Sequence, residues 1–111
     1  MAKQVLIPKS ANVPTLDATA NLEIEEQFVY VKLFNPAGVG TWYITAYDPT
    51  TEEAFGFVNL GDPEMAELGY ISIPELKALR LPFGLSVERD INFTKTPLKE
   101  VMDTIRNGGH V

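Results

Sequence analysis

Cysteine is absent from this chain, which excludes a disulfide scaffold, thiolate-bound zinc and a cysteine nucleophile, and suits a reducing compartment. Histidine occurs once, at His110 after Gly108-Gly109, where it reads as a solvated tail residue, so nucleophilic triads are set aside. No apolar run approaches the ~20 residues of a bilayer-spanning helix. The start, MAKQVLIPKS, has a charge but lacks the long apolar core of a signal peptide, so a cytoplasmic protein is expected. Most unevenly distributed is positive charge. Between residues 33 and 76 there is no Lys or Arg, while Asp48, Glu52, Glu53, Asp62, Glu64, Glu67 and Glu75 fall there. An acidic middle repels nucleic-acid phosphates and steers toward a basic partner; the alternative is a set of solvated turn residues that keep the protein soluble.

What is present is an ordinary globular composition, 45% hydrophobic and 22% charged, in 111 residues with a net charge of −6. Repeats, low-complexity segments and linkers are missing, so 1–111 is expected to be one domain. Residues 1–27 are the least legible: Val5-Leu6-Ile7 suits a short strand ended by Pro8, and Pro14 opposes a long helix over 10–20. The run FVYVKLF over 28–34 predicts one central strand, β-branched and aromatic and apolar on nearly both faces. After the turn residues 35–40, TWYITAY over 41–47 predicts a second, with Trp42, Ile44 and Ala46 on one face and Tyr43, Thr45 and Tyr47 on the other. After 48–53, AFGFVNL over 54–60 predicts a third, giving an antiparallel meander. A short strand follows over 68–71. Ser72, Pro74 and Glu75 then open a helix carrying Leu76 and Leu79. The alternation of SVERDINF over 86–93 predicts a further strand. Thr96-Pro97 starts the last helix as cap and first residue, and Leu98, Val101, Met102 and Ile105 form its apolar stripe. The expected fold is α+β, a single antiparallel sheet of about five strands in the order β-β-β-β-α-β-α, with the C-terminal helix packed on one face.

Little here carries chemistry. Gly38-Val39-Gly40 precedes a strand and lacks the rest of a dinucleotide fingerprint, and no G-x-S-x-G elbow or Walker motif occurs. Carboxylates are the one catalytic candidate: Asp62 and Glu64 in a loop with Glu88 and Asp90 on one strand face could hold a divalent metal if they converged. The competing reading makes Glu88-Arg89-Asp90 a local ion pair beside the sheet. Trp42, Tyr43 and Tyr47 lie on a strand of which two helices can fully cover only one face, and exposed aromatics beside acids suit a binding surface; the alternative is that helix and N-terminal segment cover both faces.

In order along the chain, Leu6-Ile7-Pro8, Val29-Tyr30-Val31-Lys32-Leu33-Phe34, Thr41-Trp42-Tyr43 with Tyr47-Asp48-Pro49, Phe55-Gly56-Phe57-Val58, Glu67-Leu68-Gly69-Tyr70 with Glu75-Leu76, and Gly84-Leu85 with Val87-Glu88-Arg89-Asp90 resemble the domain of unknown function 2958 family. The resemblance runs from about Leu6 to Val101, with Met65-Ala66 a departure in the loop before Leu68. It implies an accessory protein of phages, plasmids and other mobile elements in a bacterial host cell, and a link to small anti-CRISPR proteins that act on type II effector nucleases. It implies no active site. The resulting expectation is a non-enzymatic inhibitor without cofactor or metal, binding a basic protein such as a type II CRISPR effector through Asp48, Glu52, Glu53, Asp62, Glu64 and Glu67, with Tyr43 and Tyr47 as anchors. Direct nucleic-acid and membrane binding are not expected. The alternatives are a metal-dependent hydrolase on Asp62, Glu64, Glu88 and Asp90, and a structural module of a mobile element, such as a homodimer through an exposed strand.

Overall fold

The computed structural model describes residues 4–111; residues 1–3, part of the start weighed above as a signal peptide, lie outside the described residues. The apolar runs form the meander expected from their spacing, and their phase decides the rest. Strands β1 (Phe28–Val29), β2 (Val31–Phe34), β3 (Thr41–Asp48), β4 (Glu53–Asn59), β5 (Glu67–Ser72), β6 (Glu88–Arg89) and β7 (Thr96–Pro97) are joined by helices α1 (Leu16–Thr19), α2 (Ile73–Ala78) and α3 (Leu98–Arg106) and by short 3-10 turns. Five strands make one antiparallel sheet in the spatial order β5-β4-β3-β2-β6, and β1 pairs only with β7 in a second, two-stranded sheet.

This corrects the expectation of a single sheet. The α+β class stands, but FVYVKLF is two strands. Its side chains alternate up to Tyr30, where the alternation fails: Val29 enters one core, while Tyr30 and Val31, consecutive in sequence, both face the other. The Tyr30 N–H donates to the Ile44 carbonyl at 2.9 Å, and the chain before it swings away to pair Phe28 with Pro97 and Val29 with Thr96. Thr96-Pro97 is therefore strand as well as helix entry, with Pro97 in the capping position of α3. The strand expected over 86–93 shrinks to Glu88–Arg89, because Asp90 turns the chain: its carboxylate accepts from the Asn92 N–H at 2.9 Å and its carbonyl from the Phe93 N–H at 3.2 Å.

A second phase break sits opposite the first. Across β3 and β4 the register runs Tyr43 to Phe57 and Ile44 to Gly56, then skips Thr45 and resumes at Ala46 to Phe55. Thr45 is the extra residue of a β-bulge, and its hydroxyl donates to the Phe55 carbonyl at 3.0 Å, satisfying a buried group the broken ladder leaves. The bulge inverts the faces downstream. Tyr47, expected beside Tyr43, lies instead on the side of Trp42 and Ile44.

Both faces of the large sheet are covered. On one, Val31, Leu33, Ile44, Ala54 and Ile71 meet Leu6 from the N-terminal segment, Ile73 and Leu76 of α2, and Val87. On the other, Tyr43 and Phe57, together with Val29 of β1, meet Leu98, Val101, Met102 and Ile105, the whole predicted stripe of α3. Each fully buried aliphatic chain of that stripe contributes about 1.5–3 kcal/mol relative to exposure.

Gly56 is the tightest point of the sheet. A Cβ there would stand 1.9 Å from the Tyr43 carbonyl oxygen, and the obstacle is backbone that cannot rotate aside. Gly69, its cross-strand neighbour, has nothing within 4 Å of a Cβ. Gly56→Ala is therefore expected to cost about 3 kcal/mol or more, and Gly69→Ala to stay within about 1 kcal/mol of the parent. Urea denaturation of the two variants checks this; equal losses would contradict the assigned close approach.

Candidate functional site

The acids of the basic-free span divide into two groups at opposite ends of the β4–β5 ribbon. Asp48 ends β3, Glu52 lies in the turn that follows and Glu53 opens β4. Asp62 and Glu64 belong to the connection from β4 to β5, and Glu67 opens β5. With seven residues in β4, the groups are about 20 Å apart, so they bracket a ribbon and do not form one patch. Local geometry explains part of each set. The Asp48 carboxylate accepts from the Thr50 N–H at 2.8 Å, and the Asp62 carboxylate from the Glu64 N–H at 3.0 Å, both turn-forming contacts. Glu52 adopts a left-handed conformation (φ 59°), and its carboxylate lies 3.6 Å from the Lys77 ammonium. Glu53, Glu64 and Glu67 are exposed, and among the described residues no lysine or arginine lies in salt-bridge reach of them.

The proposed aromatic anchors are placed differently from expectation. Tyr43 is 2% exposed and packs against Phe57 and Phe93, with ring centroids 6.4 Å away in both cases, so it belongs to the core. Tyr47 is half-buried beside Asp48 and Glu52. The exposed aromatic of the ribbon is Tyr70, 70% accessible, whose ring meets Phe55 edge-to-face at 5.1 Å across the β4–β5 register. Sequence reasoning passed over this pair. The period of two in ELGYIS, with Leu68 and Tyr70 on one face, was the signal that could have located it.

The other edge of the sheet carries a polar cleft of about 520 Å³, between the turn after β2 and the segment 88–92. Lys32, Thr41, Glu88, Arg89 and Asp90 line it. The Glu88-Arg89-Asp90 ion pair does not form. Asp90 instead lies 3.7 Å from the Lys32 ammonium, and the Arg89 guanidinium donates to the Val5 carbonyl. Lys32 also donates to the Val111 carbonyl. The cations of the cleft are thus engaged by the chain itself. Glu88 and Asp90 lie beside β2 at one margin of the sheet, whereas Asp62 and Glu64 follow β4, toward the other. Among the described residues, no three His, Cys, Asp or Glu side chains converge to hold a metal ion, so the hydrolase reading has no constellation to rest on.

A family model described as protein of unknown function (DUF2958) matches residues 9–111. The chain belongs to the DUF2958 family. No curated protein and no solved structure matches it. Among the described residues no helix is long and apolar enough to cross a membrane.

Two tyrosines of this DUF2958 protein have shifted acidities. Burial pushes the Tyr43 phenol above its ordinary value; the Asp90 charge adds to this and the Thr41 hydroxyl opposes it. Burial also raises Tyr47, with the charges of Glu52 and Asp48 adding to it. A phenol whose folded pKa is raised stays protonated longer in the fold than in the unfolded chain. Its stabilising contribution is complete below the unfolded value of about 10 and is lost as pH rises through the folded one. Stability should therefore decline above about pH 10, and less steeply in Tyr43→Phe. Denaturation midpoints between pH 9 and 11.5 measure the difference; parallel curves would show that Tyr43 does not contribute.

Proposed function

We propose that this DUF2958 chain is a non-enzymatic binding protein for a basic protein surface, and that a type II CRISPR effector nuclease, the partner class implied by the family resemblance, is such a partner. The observation that carries the reading is the acid-bracketed β4–β5 ribbon. Glu53 at one end and Glu64 and Glu67 at the other are exposed and, among the described residues, without a salt-bridge partner, and the exposed Tyr70 lies between them with Phe55 beside it. Unpaired surface acids around an amphipathic aromatic combine steering toward a cationic surface with an apolar contact once docked. CRISPR effectors hold nucleic acid in positively charged channels, the kind of surface such a ribbon complements.

The direct test is target cleavage by purified type II effector with guide, in the presence of increasing amounts of this protein. Reduced cleavage is expected; undiminished cleavage at large molar excess removes the tested effectors as partners. A variant separates surface from fold. Glu64→Lys with Glu67→Lys changes two exposed residues, so stability should shift by about 0.5 kcal/mol or less per site. Association with a basic partner should slow and lose much of its salt dependence, because rim charges act chiefly through the on-rate. Unchanged association kinetics across 50–500 mM salt would assign these acids to solubility alone.

A further inference from the structure

We propose that the outer edge of β5 is a strand-addition site that takes an extended protein segment in which apolar and basic residues alternate. This rests on the reading of a basic partner and states how the partner is held.

The two edges of the large sheet are treated differently. At β6 only two residues are in register, and the outer side is closed by Gln4: its amide donates to the Arg89 carbonyl at 3.0 Å and accepts from the Arg89 N–H at 2.6 Å. At the other edge β5 runs for six residues in unbroken register with β4, from Glu67 opposite Val58 to Ser72 opposite Glu53. It contains no proline, lysine or bulge, the devices that commonly blunt an exposed edge. The phase of the ladder identifies its free groups. The Ile73 N–H donates inward to the Glu52 carbonyl at 3.2 Å, continuing the same register. Residues 67, 69 and 71 therefore point their backbone groups toward β4. The N–H and C=O of Leu68 and Tyr70, with the N–H of Ser72, point outward.

Side chains and charge select the occupant. A residue added opposite Tyr70 would stand on the face where Tyr70 and Phe55 stack, which suits an apolar side chain. Its neighbours would stand on the opposite face, beside Gly69, where open space leaves room for a long side chain to lie along the edge toward Glu67. Asp62 and Glu64 precede the strand, Glu67 is its first residue and Glu53 flanks its end, so the segment that fits is cationic. A second copy of this chain would bring its own acids against these.

The test uses the full chain and three heptapeptide probes: acetyl-VKVKVKV-amide, its VEVEVEV counterpart, and the basic peptide N-methylated at alternate residues so that one edge cannot pair. Calorimetry and NMR amide exchange at Leu68, Tyr70 and Ser72 are read together. The expected result is binding of the basic peptide, at least tenfold slower exchange at Leu68 and Tyr70, and at least tenfold weaker binding of the N-methylated and acidic peptides. Tyr70→Pro removes an outward N–H without touching the inner ladder, so it should fold and lose binding at least tenfold; the N-methylated peptide tests the same contact without altering the protein. No binding of the basic peptide overturns strand addition. Binding that survives N-methylation, or leaves the Leu68 and Tyr70 amides unprotected, also overturns it while leaving charge-driven recognition intact. Equal binding of the acidic peptide with full protection overturns the basic occupant and the basic-partner reading with it. Concentration-dependent protection of these amides without peptide overturns it in favour of a second copy.

Discussion

The close approach of Gly56 to the Tyr43 carbonyl, locked beside it by the Thr45 hydroxyl on the Phe55 carbonyl, is the constraint on which the rest of the sheet depends. A regular ladder would send residues 41, 43, 45 and 47 to one face. The bulge lets Tyr43 serve the core under α3 and Tyr47 serve the opposite core, so neither large ring competes for the same volume. Thr45 suits the position because it carries a β-branched body that packs and a hydroxyl that supplies the missing donor. It is the one buried polar side chain among the described residues, and it is satisfied.

The bulge has a counterpart across the ladder. Ile44, the residue before it, pairs with Val31, the first residue after the break in the neighbouring strand. The Ile44 carbonyl takes the Tyr30 N–H, a hydrogen bond that spans the break. Releasing Phe28–Val29 from the large sheet frees them to pair with Thr96–Pro97, which sets the start of α3. The Leu98 N–H, one of the orphan donors of that helix, is satisfied by the Gln27 carbonyl at 3.0 Å. A chain of local contacts thus runs from a single threonine in β3 to the angle at which α3 lays its stripe on the sheet.

Periodic features were legible in the sequence, and those that broke a period were not. The stripe of Leu98, Val101, Met102 and Ile105 repeats at helical spacing, and all four residues are buried as that spacing predicts. The strands of the meander and the Ser72 cap of α2 were readable for the same reason: each rests on a local rule. The division of FVYVKLF was not readable, because a run apolar on both faces carries no phase to lose. The misplacement of Tyr47 follows from assuming strict alternation past Thr45, and a bulge leaves no compositional trace beyond a glycine on the partner strand. Gly56 was that trace. At the candidate site, the acids could be found by counting. Their separation into two groups required the strand length between them, and the exposure of Tyr70 required knowing that β5 lies at the margin.

Because helices and the N-terminal segment cover both faces of the large sheet, charged side chains are driven to its rims. The two margins then diverge. On the β6 side, Lys32 and Arg89 are held by Asp90, Val111 and Val5, so the cations there are neutralised or committed within the chain. On the β5 side, Lys77 answers Glu52, and the exposed acids Glu53, Glu64 and Glu67 have no such counterpart among the described residues. A six-residue edge with free backbone groups would ordinarily invite pairing between copies, and it lacks the proline, lysine or bulge that prevents this elsewhere. Acids at both ends of the ribbon would oppose such pairing by charge repulsion, since an antiparallel copy would bring each acidic end of the ribbon beside an acidic end of the other. The same charges lower the energy of a cationic segment laid along the edge. Under the strand-addition proposal, one arrangement of carboxylates would oppose self-pairing and suit a basic partner, without a residue inside β5 that would have closed the edge to both.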